Sequence, residues 1–276
     1  MADVPSTKFF VDKYGLMAKK ALGQNFLLDA NITDKIIRLS LNEQKLRDLS
    51  GEQVVEIGPG PGGLTQAVLR QHPQKMTVIE MDERCLDILH EIQGFYPQLD
   101  VVEGDALKFD FSVKAEVDGK FHIVSNLPYN ISVVLLTGWL KHIACYKSMT
   151  LMFQKEVADR ITAQIGTKDY GRISVMAQLQ CHIVKLFDLP PTCFVPAPKI
   201  WSSVLLFKPK ENPLDKPTLA QVGKLTELAF GQRRKMIRQS LKSFPDLTLK
   251  AEKLGIDLTA RAENLTPQQY LDLALA

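Results

Sequence analysis

A short apolar run, Gln53-Val-Val-Glu-Ile57, passes straight into Gly58-Pro-Gly-Pro-Gly-Gly63, and these two segments constrain the chain more than any other feature. An apolar run of that length reads as a strand covered on both faces. Glycines behind it allow positive φ and a close approach of backbone to a ligand, and a helix is predicted from Leu64 to about Arg70. The alternation then repeats. Strands are predicted at Met76–Glu80, around Val101 and Val102, at Phe121–Ser125 and at Ser148–Phe153, with helices at Glu83–Ile92 and from Lys155 to about Ile165. Short apolar strands separated by helix-length segments predict an α/β fold with a mostly parallel sheet.

The flanks read differently. Residues 1–20 carry Lys8, Lys13, Lys19 and Lys20 among few helix signals and are expected to form an irregular basic arm. Asp29 or Asn31 is a candidate cap for a helix from Ile32 to about Leu41, with Ile32, Ile36, Ile37 and Leu39 inward. A helix at Ser174–Gln180 precedes two strand-like runs, His182–Leu189 and Ser203–Lys208, around a loop stiffened by Pro190, Pro191, Pro196 and Pro198. Pro209, Pro213 and Pro217 mark a boundary, beyond which only helices are predicted: Leu219–Phe230, Arg234–Lys242, Leu247–Leu254 and Pro267–Ala274. The expected domains are therefore an α/β domain over 21–209 and a small all-helical domain over 210–276.

Composition excludes whole classes. Hydrophobic residues are 45% and charged residues 24% of 276, which rules out a disordered, collagen-like or coiled-coil chain. Lys and Arg number 34 against 31 Asp and Glu, so the net charge of +3 is too small to identify a nucleic-acid partner. Cys85, Cys145, Cys181 and Cys193 form no C-x-x-C pair and have no zinc-ligand spacing with His, so reduced thiols and no metal are expected. No run approaches the roughly 18 apolar residues of a membrane span, and Met1–Leu16 has neither an apolar signal core nor an Arg. A cytoplasmic protein without membrane contact is expected. Without an exposed heptad seam, so is a monomer.

Gly58, Gly60 and Gly63 fit the spacing G-x-G-x-x-G, and Glu80 ends the next strand where it can grip the two hydroxyls of a ribose. Both features suit any nucleoside cofactor, so the turn alone does not separate NAD from S-adenosylmethionine. Glu56, just inside the first strand, would repel a pyrophosphate and suits a cofactor carrying a sulfonium and an amino group. Asp105 can accept from an adenine amine or cap the turn that follows it.

The stretch Ser125-Asn-Leu-Pro-Tyr-Asn-Ile131 follows the Phe121–Ser125 strand. An exocyclic adenine amine is a poor nucleophile because its lone pair is delocalised into the ring. Accepting both of its N–H hydrogens localises that pair. Asn126 can supply a side-chain oxygen and Leu127 a main-chain carbonyl, Pro128 stiffens the turn, and Tyr129 offers a stacking face.

With these motifs in order, the chain resembles class I S-adenosylmethionine-dependent N6-adenine methyltransferases, and more narrowly the small-subunit ribosomal RNA adenine dimethyltransferase family. The resemblance runs through Lys19-Lys-Ala-Leu-Gly-Gln-Asn-Phe-Leu27, Val55–Gly60, Ser125–Ser132, Gln154–Val157, Tyr170–Ala177, Phe230–Lys235 and Arg261–Asn264. It implies a Rossmann-like, mostly parallel seven-stranded sheet. It also implies that S-adenosylmethionine is held by Gln24, Asn25, Leu27, Gly58, Gly60, Glu80, Asp105 and Asn126. Phe194 would stack on a flipped adenine opposite Tyr129, so that Asn126, Leu127, Pro128, Tyr129 and Phe194 form the catalytic set. The implied substrate is two adjacent adenosines near the 3′ end of 16S rRNA in the small ribosomal subunit, each methylated twice by in-line displacement, with a role in small-subunit biogenesis.

Arg233, Arg234, Lys235, Arg238 and Lys242 form a run without an acid between Phe230 and Ser243. If it is helical, Arg234 and Arg238 share a face, and an RNA-phosphate contact is expected there. Lys8, Lys13, Lys19, Lys20, Arg160 and Arg172 are candidates to extend it. Competing readings are a large-subunit adenine methyltransferase of the macrolide-resistance type, a ribosome-assembly factor whose binding outweighs its catalysis, and an NAD-dependent dehydrogenase. The last leaves Asn126–Tyr129 unexplained.

Overall fold

A computed structural model describes residues 4–18 and 24–276. In chain order the elements are α1 (Thr7–Lys13), β1 (Phe26–Leu27), α2 (Ala30–Gln44), β2 (Gln53–Ile57), α3 (Gly63–Leu69), β3 (Lys75–Glu80), α4 (Glu83–Phe95), β4 (Leu99–Glu103), α5 (Phe111–Asp118), β5 (Phe121–Asn126), α6 (Ser132–Leu140) and β6 (Tyr146–Gln154). There follow α7 (Lys155–Ile161), α8 (Arg172–Gln180), β7 (Cys181–Leu189), β8 (Phe194–Val195), β9 (Ser202–Pro209), α9 (Lys216–Gly231), α10 (Ile237–Ser240), α11 (Leu247–Leu254) and α12 (Pro267–Leu275).

Seven strands form one sheet in the order β4-β3-β2-β5-β6-β9-β7. The pairings β3–β4, β2–β3, β2–β5 and β5–β6 are parallel, and β6–β9 is antiparallel. The α/β class and the mostly parallel seven-stranded sheet are as expected. Parallel pairing places the carboxyl ends of β2, β3, β4 and β5 along one edge. The strand order reverses between β2 and β5, which is where open α/β sheets bind ligands.

The chain divides into two compact units by its contacts. One comprises 1–136, 144–155 and 184–208, and the other 137–143, 156–183 and 209–276. The first contains an apolar core in which Ile36 and Ile37 of α2, Val54 of β2 and Val78 of β3 are all at most 2% exposed. The second is built on aromatic contacts, Tyr170 with Phe230 and Phe230 with Tyr270, and on two buried hydroxyls, Tyr170 Oη donating to Leu265 O and Tyr270 Oη to Ala262 O. The Tyr170, Phe230 and Arg261 segments singled out in the sequence thus meet as this unit's frame.

Two expectations are corrected. The N-terminal arm is not irregular: Ser6 caps α1 by accepting from Phe9 N, and Phe10 is fully buried. Burying that one ring outweighs the sparse helix signals. The helix expected over Arg234–Lys242 is reduced to the four residues of α10, because Met236 is extended and bridges Arg261. Arg234 therefore lies outside a helix, and its alignment with Arg238 fails. Lys19 and Lys20 lie outside the described residues. Among the described residues no helix is long and apolar enough to cross a membrane.

Candidate active site

A cavity in the first unit is lined by Gln24–Leu27, by the β2–α3 turn with Glu56 behind it, by Glu80 and Met81 after β3, by Gly104–Ala106 after β4, and by Asn126–Tyr129 after β5. Four strand ends and β1 therefore converge on one space. The sequence-predicted residues Gln24, Asn25, Leu27, Gly58, Gly60, Glu80, Asp105, Asn126, Leu127, Pro128 and Tyr129 all line it.

The glycine turn wraps back on the acid of the next strand. Gly60 has φ +56° and donates its N–H to Glu80 Oε2 at 3.0 Å. A Cβ there would sit 3.1 Å from the Phe26 ring, so a side chain would close the turn against β1. At Gly63 a Cβ would collide with the Leu27 carbonyl. Glu80 Oε1 accepts from Met81 N and Asp82 N, each at 2.9 Å. Its pKa is nonetheless raised, because burial outweighs these three donors. Oε2, with a single donor, keeps a lone pair for a hydroxyl donor from the cavity, whereas both Oε1 lone pairs are taken.

Glu56 is 1% exposed, and Thr65 Oγ1 donates to its Oε2 at 2.6 Å. Burial pushes its carboxyl up to about 8, and the nearby Glu80 adds to the shift. Asp105 does what its second sequence reading proposed: Oδ1 accepts from Leu107 N at 2.9 Å. It also lines the cavity.

The turn after β5 carries the distinctive geometry. Ser125 Oγ donates to Ile57 O at 2.6 Å, locking this turn to the end of β2. Asn126 Nδ2 donates to Asn25 O at 3.2 Å, which leaves Oδ1 as an acceptor. Pro128 brings no N–H, and its carbonyl accepts from Ile131 N and Ser132 N to start α6. Among the described residues nothing donates to Asn126 Oδ1 or to Leu127 O. Two open acceptors thus stand on adjacent residues of one cavity wall. Tyr129 is half-buried, held by a 2.7 Å hydrogen bond between its Oη and Ser202 Oγ, and burial raises its pKa.

Phe194 is not brought to the cavity. It is 2% exposed and packs in the core, with its backbone opposite Leu27 in the β1–β8 pair. An aromatic buried on both sides has no free face for a base. Its place in the fold is to support β1, which does line the cavity. Met81, by contrast, lines the cavity and is 59% exposed. Sequence reading passed over it, although its place directly after the strand-end acid puts it at the carboxyl edge of the sheet with the other strand-end residues.

In the second unit Arg234, Lys235 and Arg238 are exposed. Arg233 is spent internally: Nε donates to Glu263 at 2.7 Å and Nη2 to Thr167 O at 3.0 Å. Of the candidate extensions, Lys13 pairs with Glu91, Arg160 with Glu156 and Arg172 with Glu227, while Lys8 is exposed. No His, Cys, Asp and Glu cluster able to hold a metal occurs among the described residues, and no disulfide joins any of the four cysteines.

Residues 15–276 match the pattern of the family described as Ribosomal RNA adenine dimethylase. The chain belongs to this family. Its relatives include a protein named Ribosomal RNA small subunit methyltransferase A from Mesorhizobium japonicum, 47% identical over 278 residues, covering 98% of this chain and 97% of that protein. A protein of the same name from Agrobacterium fabrum is 46% identical over 275 residues, covering 98% and 97%. Among solved structures, a dimethyladenosine transferase from Plasmodium falciparum superposes with TM-score 0.74 at 27% identity, covering 89% of this chain and 94% of that one. The 23S rRNA methyltransferase ErmE shares the fold, with TM-score 0.66 at 23% identity, covering 91% and 98%.

Proposed function

We propose that the protein transfers methyl groups from S-adenosylmethionine to the N6 amines of two adjacent adenosines near the 3′ end of 16S rRNA, dimethylating each. The observation that carries this reading is the pair of open acceptors, Asn126 Oδ1 and Leu127 O, on one wall of a cavity. An amine with two N–H groups fits two such acceptors. The names of the relatives support the small subunit as the source of the RNA.

The residues present fit S-adenosylmethionine. A buried carboxyl at Glu56, whose one side-chain hydrogen-bond partner among the described residues is Thr65, suits a cationic neighbour, and Gly60 and Gly63 leave room that a Cβ would fill. Bound, the cofactor supplies an electrophilic methyl on a positive sulfur. Glu80 would hold its ribose hydroxyls, Asp105 would accept from its adenine amine, and Met81 would flank its base. Asn126 and Leu127 accept the hydrogens of the target amine and draw its lone pair out of the ring. Tyr129 stacks on the target base, which must leave its own stack to arrive there. As the amine nitrogen bonds to the methyl, the methyl–sulfur bond breaks to leave a neutral thioether, and the amine then gives one proton to water; it keeps a single N–H, so the second round depends more on that stacking. Tritiated cofactor incubated with unmethylated small subunits is expected to label two neighbouring adenosines with two methyls each. Absence of label, or labelling that stops at one methyl per adenosine, overturns the reading.

Arg234, Lys235 and Arg238, exposed in the helical 210–276 region, are the residues we assign to RNA phosphates. Changing all three to Gln is expected to raise KM for the subunit and leave kcat within about twofold. It should also flatten the slope of log affinity against log salt by about two, at roughly 0.7–0.9 for each phosphate no longer neutralised. Filter binding between 50 and 200 mM salt, across which several phosphate contacts change affinity by orders of magnitude, checks this, and an unchanged slope removes these residues from the interface.

A further inference from the structure

The Arg84 guanidinium sits at the start of α4, on the β3–α4 turn that also presents Glu80. It makes two bonds to one buried carboxylate, Nε to Asp82 Oδ1 at 2.9 Å and Nη2 to Asp82 Oδ2 at 2.6 Å. Asp82 has a side chain only 4% exposed. Its carboxyl is held down near 2, chiefly by Arg84.

The same two side chains reach the N-terminal segment at two points. Arg84 Nη1 donates to Met17 O at 2.8 Å, and Asp82 Oδ2 accepts from Gln24 Nε2, also at 2.8 Å. Arg84 Nη2 lies 3.4 Å from Gln24 Oε1, so the Gln24 amide is gripped at both its ends. Gln24 opens the run Gln24–Leu27 that lines the cavity, and Asn25 O in that run receives the Asn126 amide. A second tie runs from the same helix: Glu91 of α4 accepts from Lys13 Nζ and Tyr14 Oη, each at 2.7 Å. That second tie is exposed and of small consequence. The Arg84–Asp82 pair is bidentate and half sheltered, which makes it the stronger fixture.

We propose that Arg84 is a positioning residue for cofactor binding: it clamps Met17 directly and Gln24 both directly and through Asp82, and so holds Gln24–Leu27 against the cavity. Arg84 does not line the cavity and touches no reacting atom. Its geometry explains why arginine stands there. One planar fork satisfies both carboxylate oxygens and still aims Nη1 at a main-chain carbonyl, whereas a lysine ammonium cannot span all three acceptors. The inference rests on reading the cavity as the S-adenosylmethionine site.

The test compares wild type with Arg84→Ala, Arg84→Lys and Glu80→Ala. It combines calorimetric S-adenosylmethionine binding, steady-state kinetics and hydrogen exchange of the Gln24–Leu28 amides. Arg84→Ala is expected to raise Kd and KM for the cofactor roughly 10–100-fold, the equivalent of one or two charged hydrogen bonds. kcat at saturating cofactor and KM for the RNA should stay within about twofold, and exchange at Gln24–Leu28 should quicken. Arg84→Lys should fall between wild type and Arg84→Ala, and it decides the matter if the alanine variant does not fold. Glu80→Ala should also lose cofactor affinity. If Glu80→Ala binds weakly while the folded Arg84 variants bind like wild type, the clamp is wrong and the site stands. If Glu80→Ala itself binds like wild type, the site reading fails and takes the clamp with it. A fall in kcat and in melting temperature without a change in cofactor KM also overturns the clamp.

Discussion

Asn126→Ala is expected to cut methyl transfer by roughly 10²–10³-fold, the cost of losing one preorganised hydrogen-bonding group aimed at charge that develops in the transition state. The oxygen removed is one of two acceptors at the β5 turn, and the amide NH2 that donates to Asn25 O goes with it. S-adenosylmethionine affinity is expected to change only a few-fold, because Glu80, Asp105 and the glycine turn lie on other strand ends. Single-turnover methyl incorporation into unmethylated small subunits, beside calorimetry of the cofactor, separates the two effects. Transfer within threefold of wild type would remove Asn126 from the chemistry. Leu127 cannot be tested in the same way, since its contribution is main-chain and survives any side-chain change.

Glu56→Gln is expected to change how stability depends on pH. In the folded protein the Glu56 carboxyl is pushed up to about 8 by burial, from an ordinary value of 4.5. Below pH 4.5 it is protonated in both folded and unfolded chains and affects neither. Between pH 4.5 and 8 the unfolded chain ionises and the folded one resists, so stability falls as pH rises through this window. The integrated loss is as much as ~5 kcal/mol for a shift of that size. Glutamine keeps an acceptor for Thr65 and never ionises. Its melting temperature is therefore expected to match wild type near pH 4.5 and to exceed it increasingly up to pH 8. The same group bears on the cofactor. A cation placed beside Glu56 stabilises the carboxylate, so binding expels its proton, and wild-type affinity for S-adenosylmethionine should rise from pH 6 to pH 8. Glu80 is raised in the same direction and leaves a smaller residual slope in the variant. Thermal melts and calorimetry at three pH values check both effects. A melting difference that is the same at pH 5 and pH 8 shows that Glu56 ionises freely in the fold.

Much of the secondary structure is readable from local pattern. The Gln53–Ile57 strand and the Leu247–Leu254 helix run to the residue expected, because apolar strands end where glycine allows the chain to turn and α11 ends at a left-handed Gly255. Local pattern fails where long-range contacts decide. Phe10 turns a sparse segment into α1, and the Met236–Arg261 bridge breaks up a helix that charge spacing favoured. Arg233 looked like its basic neighbours until Glu263, thirty positions on, folded against it.

Order and chemical type of the strand-end residues were written in the chain: glycines after one strand, an acid after the next, another acid, then Asn-Leu-Pro-Tyr. These are short-range facts, since each motif's backbone demands are met by its own few residues. Which oxygens stay open, which aromatic is walled in and which arginine clamps the N-terminal segment were settled only by packing. Asn25 for Asn126, Leu27 for Phe194 and Gln24 for Arg84 all lie 60 or more positions away along the chain, and no local pattern carries the identity of a partner that distant.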